Sequence, residues 1–180
     1  MKDINVYDNF LAASHMDTIY GFLQNAYYRI GWHDTQQPHH RAFPNLHSKF
    51  TPEGVKSLNI LNPVLEKFKD THITKDNYKQ CIINLTKPLD VNFIHTHPYN
   101  EIVALYYCNP TWDVEWGGET LFYADNRKDI RFANPYTPNR LIIFNGDISH
   151  TIKSQNLLGP SYRFSISLFF NKGPEWEVVK

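Results

Sequence analysis

Four short stretches in the second half of this 180-residue chain carry side chains that can do chemistry together. They are His95-Thr96-His97, Trp116-Gly117-Gly118-Glu119-Thr120, His150, and Arg163-Phe164-Ser165. On an extended strand residues i and i+2 face the same way, so His95 and His97 would present two imidazoles from one face. His150 follows the turn Asn145-Gly146-Asp147 and opens another extended run; a distant strand can bring it beside that pair. Three ligands on one side of an ion leave positions open for substrate, cosubstrate and oxygen, as in the facial triads of non-haem iron enzymes. Arg163 and Ser165 share the second face of an alternating run. A planar guanidinium gives a carboxylate two parallel hydrogen bonds and keeps its charge when buried, and the Ser165 hydroxyl can add a third. The pattern predicts an open metal site beside a carboxylate anchor. The plainer readings are a hydrogen-bonded core or surface role for each histidine, and a solvated outer face for Arg163 and Ser165. The four stretches together favour the metal site.

These groups need a scaffold that brings distant strands together. Residues 4–11 look extended. Asp17 to Ile30 reads as an amphipathic helix, with Ile19, Phe22, Leu23, Ala26, Tyr27 and Ile30 on one face and Gly31 to end it. Residues 32–48 hold His33, His39, His40 and His47 without a clear period and read as a long loop. Thr51 caps a second helix that continues to about Phe68, with a break near Asn62-Pro63. After Asp76 short extended runs follow, near 79–85, 91–97, 101–108, 119–124, 129–133, 140–145, 149–153 and 162–170, separated by Pro, Gly and Asn turn signals. The prediction is a mainly β (α+β) fold: a double-stranded β-helix, or jelly roll, of about eight strands braced by N-terminal helices. One domain over residues 1–180 is expected, with a helical support region at 1–75 and a jelly-roll core at 76–170.

Composition narrows the function classes. Lys+Arg and Asp+Glu balance at 18 each, which argues against an electrostatic nucleic-acid binder. Aromatics are 15% of the residues, which suits a packed sandwich. No signal-like or transmembrane apolar run is visible. Cys81 and Cys108 each lie in a strand-like apolar run and read as buried thiols. The expectation is a cytoplasmic, reducing setting with no membrane and no nucleic-acid partner; the oligomeric state stays open.

The sequence resembles the 2-oxoglutarate and iron(II)-dependent oxygenases, in their prolyl-4-hydroxylase-like branch. The stretches that carry the likeness are Val6 to Leu11, Leu105 to Trp112, Trp116 to Tyr123 and Pro138 to His150, in that order. The likeness covers about residues 80–170 well and the first third weakly. It implies a dioxygenase that couples oxidative decarboxylation of 2-oxoglutarate to hydroxylation of a prolyl, peptide or small-molecule substrate. It also implies Fe(II), 2-oxoglutarate and O2 as cofactors, with ascorbate a candidate reductant. His95 and His150 would be metal ligands. Arg163 and Ser165 would bind the distal carboxylate of 2-oxoglutarate, and Tyr107 would contact the same carboxylate. No catalytic side chain beyond the metal ligands is implied. Residues 32–50 and 109–117 are candidate lid pieces, with Trp112 and Trp116 either covering substrate or anchoring the packing.

The chain departs from that family at His97, where an acid is usual. Either His97 ligates and the site is all-histidine, or Glu101, Glu119 or Asp147 supplies the charge, or the site is degenerate. Three neutral imidazoles leave a divalent ion with its full charge of two. Because an imidazole must be neutral to ligate, metal affinity is expected to fall below about pH 6. Two other classes remain: a three-histidine dioxygenase that does not use 2-oxoglutarate, and a non-catalytic jelly-roll module with a structural metal.

Overall fold

Strand β10 (Arg163–Asn171) shows why these residues build a layered β structure. Its side chains alternate between two interiors. Phe164, Ile166, Leu168 and Phe170 enter the core under the helices, and Phe169 enters a second core between two sheets. Eight consecutive residues, Arg163 to Phe170, are therefore buried. A strand with both faces covered reads as a near-continuous apolar run, and the polar exceptions at Arg163, Ser165 and Ser167 mark the face that holds the site.

This computed structural model describes residues 3–32, 37–69 and 71–173. Among them the order is β1 (Ile4–Tyr7), α1 (Ala13–Gln24), β2 (Arg29–Trp32), β3 (Asn45–Phe50), α2 (Pro52–Leu58), α3 (Leu61–Glu66), β4 (Tyr78–Thr86), β5 (Glu101–Tyr107), β6 (Thr120–Tyr123), β7 (Ile130–Asn134), β8 (Leu141–Asn145), β9 (His150–Ile152) and β10. One sheet has the order β1-β8-β5-β10-β4-β3-β2, and a smaller one β7-β6-β9, all pairs antiparallel. Ile19, Leu23, Val55, Leu58 and Val64 of the helices pack on one face of the large sheet. Phe122 of β6 and Phe132 of β7 pack against Val103, Leu105, Ile142 and Phe144 on its other face. This is the expected jelly roll with helices on its outer face. No described helix is long and apolar enough to cross a membrane.

Four elements differ from the sequence reading. The first helix ends at Gln24, with Asn25 as its cap. Tyr27 and Ile30, which continued its apolar period, are 94% and 74% exposed. Tyr28 anchors the chain instead: its ring meets Phe164 at 6.2 Å and its hydroxyl donates to the Leu23 carbonyl at 2.8 Å. The chain is thus drawn into β2, where Gly31 at φ +126° sits at the bulge that β2 makes against β3. The expected long loop contains β3, which pairs with β4 from Leu46↔Leu85 to Phe50↔Cys81; His33 lies outside the described residues. The run at 91–97 is no strand; it makes one isolated bridge, His95↔His150. The second helix is capped by the Thr51 hydroxyl, which accepts from the Gly54 N–H at 3.2 Å. Its break falls at Asn59 (φ +48°), not at Pro63. Pro63 sits in the first turn of α3, where its missing N–H costs no helical bond. Cys81 and Cys108 are buried free thiols, and burial pushes the Cys81 pKa up to about 12.

Candidate metal centre

His95 and His150 face each other across their isolated bridge, each backbone N–H donating to the other's carbonyl at 3.0 Å. Their rings are held by the same device. Nδ1 of His95 lies 2.9 Å from the Phe93 carbonyl, and Nδ1 of His150 lies 2.8 Å from the Ile148 carbonyl. A carbonyl oxygen can only accept, so each Nδ1 carries a proton, and in the neutral tautomer that this selects Nε2 offers its lone pair. His97 is fixed through its backbone, whose N–H donates to the Gly146 carbonyl at 2.7 Å, and its ring packs on Phe169. Ring centroids are 4.4 Å apart for His95–His150, 5.1 Å for His97–His150 and 5.2 Å for His95–His97. One ligand atom from each of the three lies within 4.8 Å of the others, the spacing that a single ion would span. Among the described residues no other cluster of His, Cys, Asp and Glu has this form.

The acids named as substitutes lie elsewhere. Glu101 is buried and paired with Lys79. Glu119 faces Lys153 at 3.7 Å, and neither it nor Asp147 is part of the cluster. Burial first, then His95 and Lys79, hold the His97 pKa down at about 3. Burial, His95 and His97 hold that of His150 well below the ordinary imidazole value. Both rings therefore stay neutral well below pH 6, and proton competition for a metal moves lower than free imidazoles would give.

Arg163, at the start of β10, is fully buried. Its Nε donates to the Gly118 carbonyl at 3.2 Å. Its guanidinium carbon lies 4.6 Å from the Tyr136 ring centre and 5.3 Å from that of Tyr107. Both terminal nitrogens, and the buried Ser165 hydroxyl, have no hydrogen-bond partner. An unsatisfied buried cation is costly, so this set fits a carboxylate that would bond guanidinium and hydroxyl together. Tyr107 is held by its neighbours. Its hydroxyl is hydrogen-bonded to Thr120 Oγ1 at 2.6 Å and accepts from Asn134 Nδ2 at 3.1 Å, while its ring supports the guanidinium. Thr120 in turn lines the pocket that the three histidines open into.

Trp112 donates from Nε1 to the Gly117 carbonyl at 2.9 Å and packs on Tyr136 at 4.2 Å, which makes it a packing anchor. Gly118 (φ +82°) lets this layer close, since a Cβ there would stand 3.0 Å from Trp112 and 3.4 Å from Arg163. Of the loop histidines, His40 stacks on Phe93 at 3.5 Å, and His39 packs edge-on against His40. Tyr136 and Asn84 were missed in the sequence. Tyr136 follows Asn134-Pro135, which signals only a turn. Asn84 and Thr86 are polar residues at alternate positions after the apolar Cys81-Ile82-Ile83 of β4 and line the pocket; that alternation is the signal the sequence offers.

No family model matches the chain, and no curated protein matches it. Solved structures do. A prolyl hydroxylase from Trichoplax adhaerens, in complex with a hypoxia inducible factor oxygen degradation domain peptide fragment, superposes with a TM-score of 0.68 at 15% identity, over 99% of this chain and 87% of that one. An oxidoreductase of the 2OG-Fe(II) oxygenase family from Burkholderia pseudomallei gives 0.66 at 15%, over 96% and 86%. HygX from Streptomyces hygroscopicus, with nickel, 2-oxoglutarate and hygromycin B bound, gives 0.67 at 10%, over 96% and 84%. The chain has the double-stranded β-helix fold of these prolyl hydroxylase and 2OG-Fe(II) oxygenase structures, and its interior gathers three imidazoles where an ion could be held.

Proposed function

We propose that this chain is a 2-oxoglutarate-dependent non-haem iron dioxygenase acting on a peptide or small-molecule substrate. His95, His97 and His150 hold Fe(II), and Arg163 with Ser165 holds the distal carboxylate of 2-oxoglutarate. The observation that carries this reading is the buried guanidinium whose two terminal nitrogens lack partners, packed on Tyr107, whose hydroxyl is bonded to Thr120 in the lining of the pocket that three convergent imidazoles share. When bound, the ion and cosubstrate supply oxidative decarboxylation coupled to C–H hydroxylation. The protein's share is orientation and exclusion of water. The Phe93 and Ile148 carbonyls fix two imidazole tautomers. Tyr107 and Tyr136 support Arg163 from its ring side, and the Trp112–Tyr136 contact covers this end of the interior. The likeness to HygX, whose structure contains nickel and 2-oxoglutarate, supports the same reading.

The test is anaerobic titration of Fe(II)-loaded protein with 2-oxoglutarate. A visible charge-transfer band from chelation is expected, and Arg163→Met should weaken cosubstrate affinity by roughly a hundredfold, the scale of losing one partner of a buried charge pair. A second reading, a three-histidine dioxygenase without 2-oxoglutarate, draws on the histidine at position 97. It predicts metal binding with no such band and no effect of Arg163→Met on the metal.

A further inference from the structure

The charges in this interior do not balance once the metal and the cosubstrate are counted. The polar lining of the pocket beside the imidazoles is neutral: Asn45, Asn84, Thr86, Asn92, Thr120 and Ser167. Among the described residues no carboxylate lines it. Two acids near this interior are each matched by a lysine: buried Glu101 by Lys79, and half-buried Glu119, whose Oε2 is buried without a hydrogen-bond partner, by Lys153 at 3.7 Å. Arg163 has no acid on its terminal nitrogens. A divalent ion on three neutral imidazoles contributes two positive charges and Arg163 a third, while 2-oxoglutarate removes two. One positive charge remains uncompensated in a region walled by Phe144, Phe169, Val103 and Leu105. An isolated charge in low dielectric is expensive, and a counter-charge within a few ångströms is correspondingly favoured.

We infer, resting on the reading of the site given above, that the substrate taken by this pocket is an anion that brings a single carboxylate or equivalent negative group close to the metal. Hydrogen-bond donors to receive it are present. Asn84 Nδ2 donates to Ser167 Oγ at 3.3 Å and Asn92 Nδ2 to the Asp90 carbonyl at 3.4 Å. Each amide nitrogen carries two N–H bonds, so each keeps one for a ligand oxygen. A site with an acid in place of His97 would already be neutral in the same count and would lack this preference.

The experiment uses Co(II)-loaded protein saturated with 2-oxoglutarate and follows the visible bands of cobalt during titration with azide. Formate and formamide, near-isosteres that differ in charge, then compete against azide. The expected result is that azide binds and that formate displaces it at least roughly tenfold more effectively than formamide. His97→Asp should weaken azide by a similar factor, whereas His97→Asn, of the same shape without the charge, should not. Formamide competing as well as formate in the wild-type protein overturns the inference even if neither variant folds. Equal azide affinity in the two variants overturns it as well. Failure of cobalt or 2-oxoglutarate to bind sinks the underlying reading of the site, and this inference with it; binding of both without charge discrimination sinks the inference alone.

Discussion

Single residues set the two energetic oddities of this molecule, a buried cation with no anion on its terminal nitrogens and imidazoles forced to stay neutral. With no anion beside it, Arg163 is a net cost to the fold, because one bond to the Gly118 carbonyl and two ring contacts do not replace the hydration that its terminal nitrogens give up. Arg163→Met keeps the bulk and removes the charge. That variant should melt higher than the wild type in the absence of 2-oxoglutarate and should lose the wild type's stabilisation by 2-oxoglutarate. Thermal melts of both proteins with and without the compound would show it; a variant less stable than wild type in its absence would contradict the argument. The imidazoles set the acid limb. In the unfolded chain a histidine titrates near 6.5, whereas burial holds His97 at about 3 and His150 well below its usual value. Below about pH 6.5 the unfolded state therefore binds protons that the fold refuses. Stability should be full above that value and lost as pH falls from there towards 3, by on the order of a few kcal/mol in all. Urea midpoints of the metal-free protein that are equal at about pH 7 and about pH 5 would refute this.

At the scale of elements, the site depends on one tight junction. The turn after β8 carries Gly146, whose N–H donates to the Glu101 carbonyl at 2.9 Å and whose carbonyl receives the His97 N–H. A Cβ at Gly146 would stand 2.7 Å from the Pro98 carbonyl oxygen and 3.2 Å from His97 Cβ. Gly146→Ala should push the 97–101 segment away from β9. It should weaken metal affinity by about tenfold or more although it touches no ligand atom, at a stability cost of about 1–3 kcal/mol from overpacking. Calorimetric titration with Ni(II) would measure it, and unchanged affinity would mean that the junction gives without moving His97. The legibility of the sequence also divides by element. β4, β5, β8 and β10 could be read because alternating or continuous apolar runs between turn residues leave few other structures. Arg163 and Ser165 could be read because polar residues interrupt such a run on one face. β2 and β3 could not be read. Tyr27 and Ile30 extend a helical period that the fold does not use, and β3 is specified by pairing with β4, a long-range contact with no local trace. The i, i+2 spacing of His95 and His97 points to a strand that does not form. They converge because one bridge to His150 and one bond to Gly146 hold the chain extended there, so the outcome was visible in the sequence while its cause was not.

For the whole molecule, the consequence lies in how its two sheets are joined. Among the described residues the three-stranded sheet shares no strand ladder with the seven-stranded one; the two meet through side chains such as Phe122 against Phe144, 5.0 Å between ring centres. His150 belongs to the small sheet through β9, whereas His97 is bonded to the turn that leaves β8 of the large one. An ion held by all three imidazoles would therefore pin one sheet to the other. Binding to the folded state alone stabilises it by about 2.7 kcal/mol at a free metal concentration a hundred times the dissociation constant. In a domain of this length each kcal/mol moves the melting point by roughly 2–4 °C, so Ni(II) or anaerobic Fe(II) should raise it by about 5–10 °C, reversibly with a chelator. The stabilisation should also be local. Amide exchange in β6 and β9 should slow on metal addition more than in β4, which is already held on both sides by β3 and β10. His150→Ala should abolish both effects. A melting-point rise that survives that substitution, or slowed exchange spread evenly over both sheets, would place the ion somewhere other than between them.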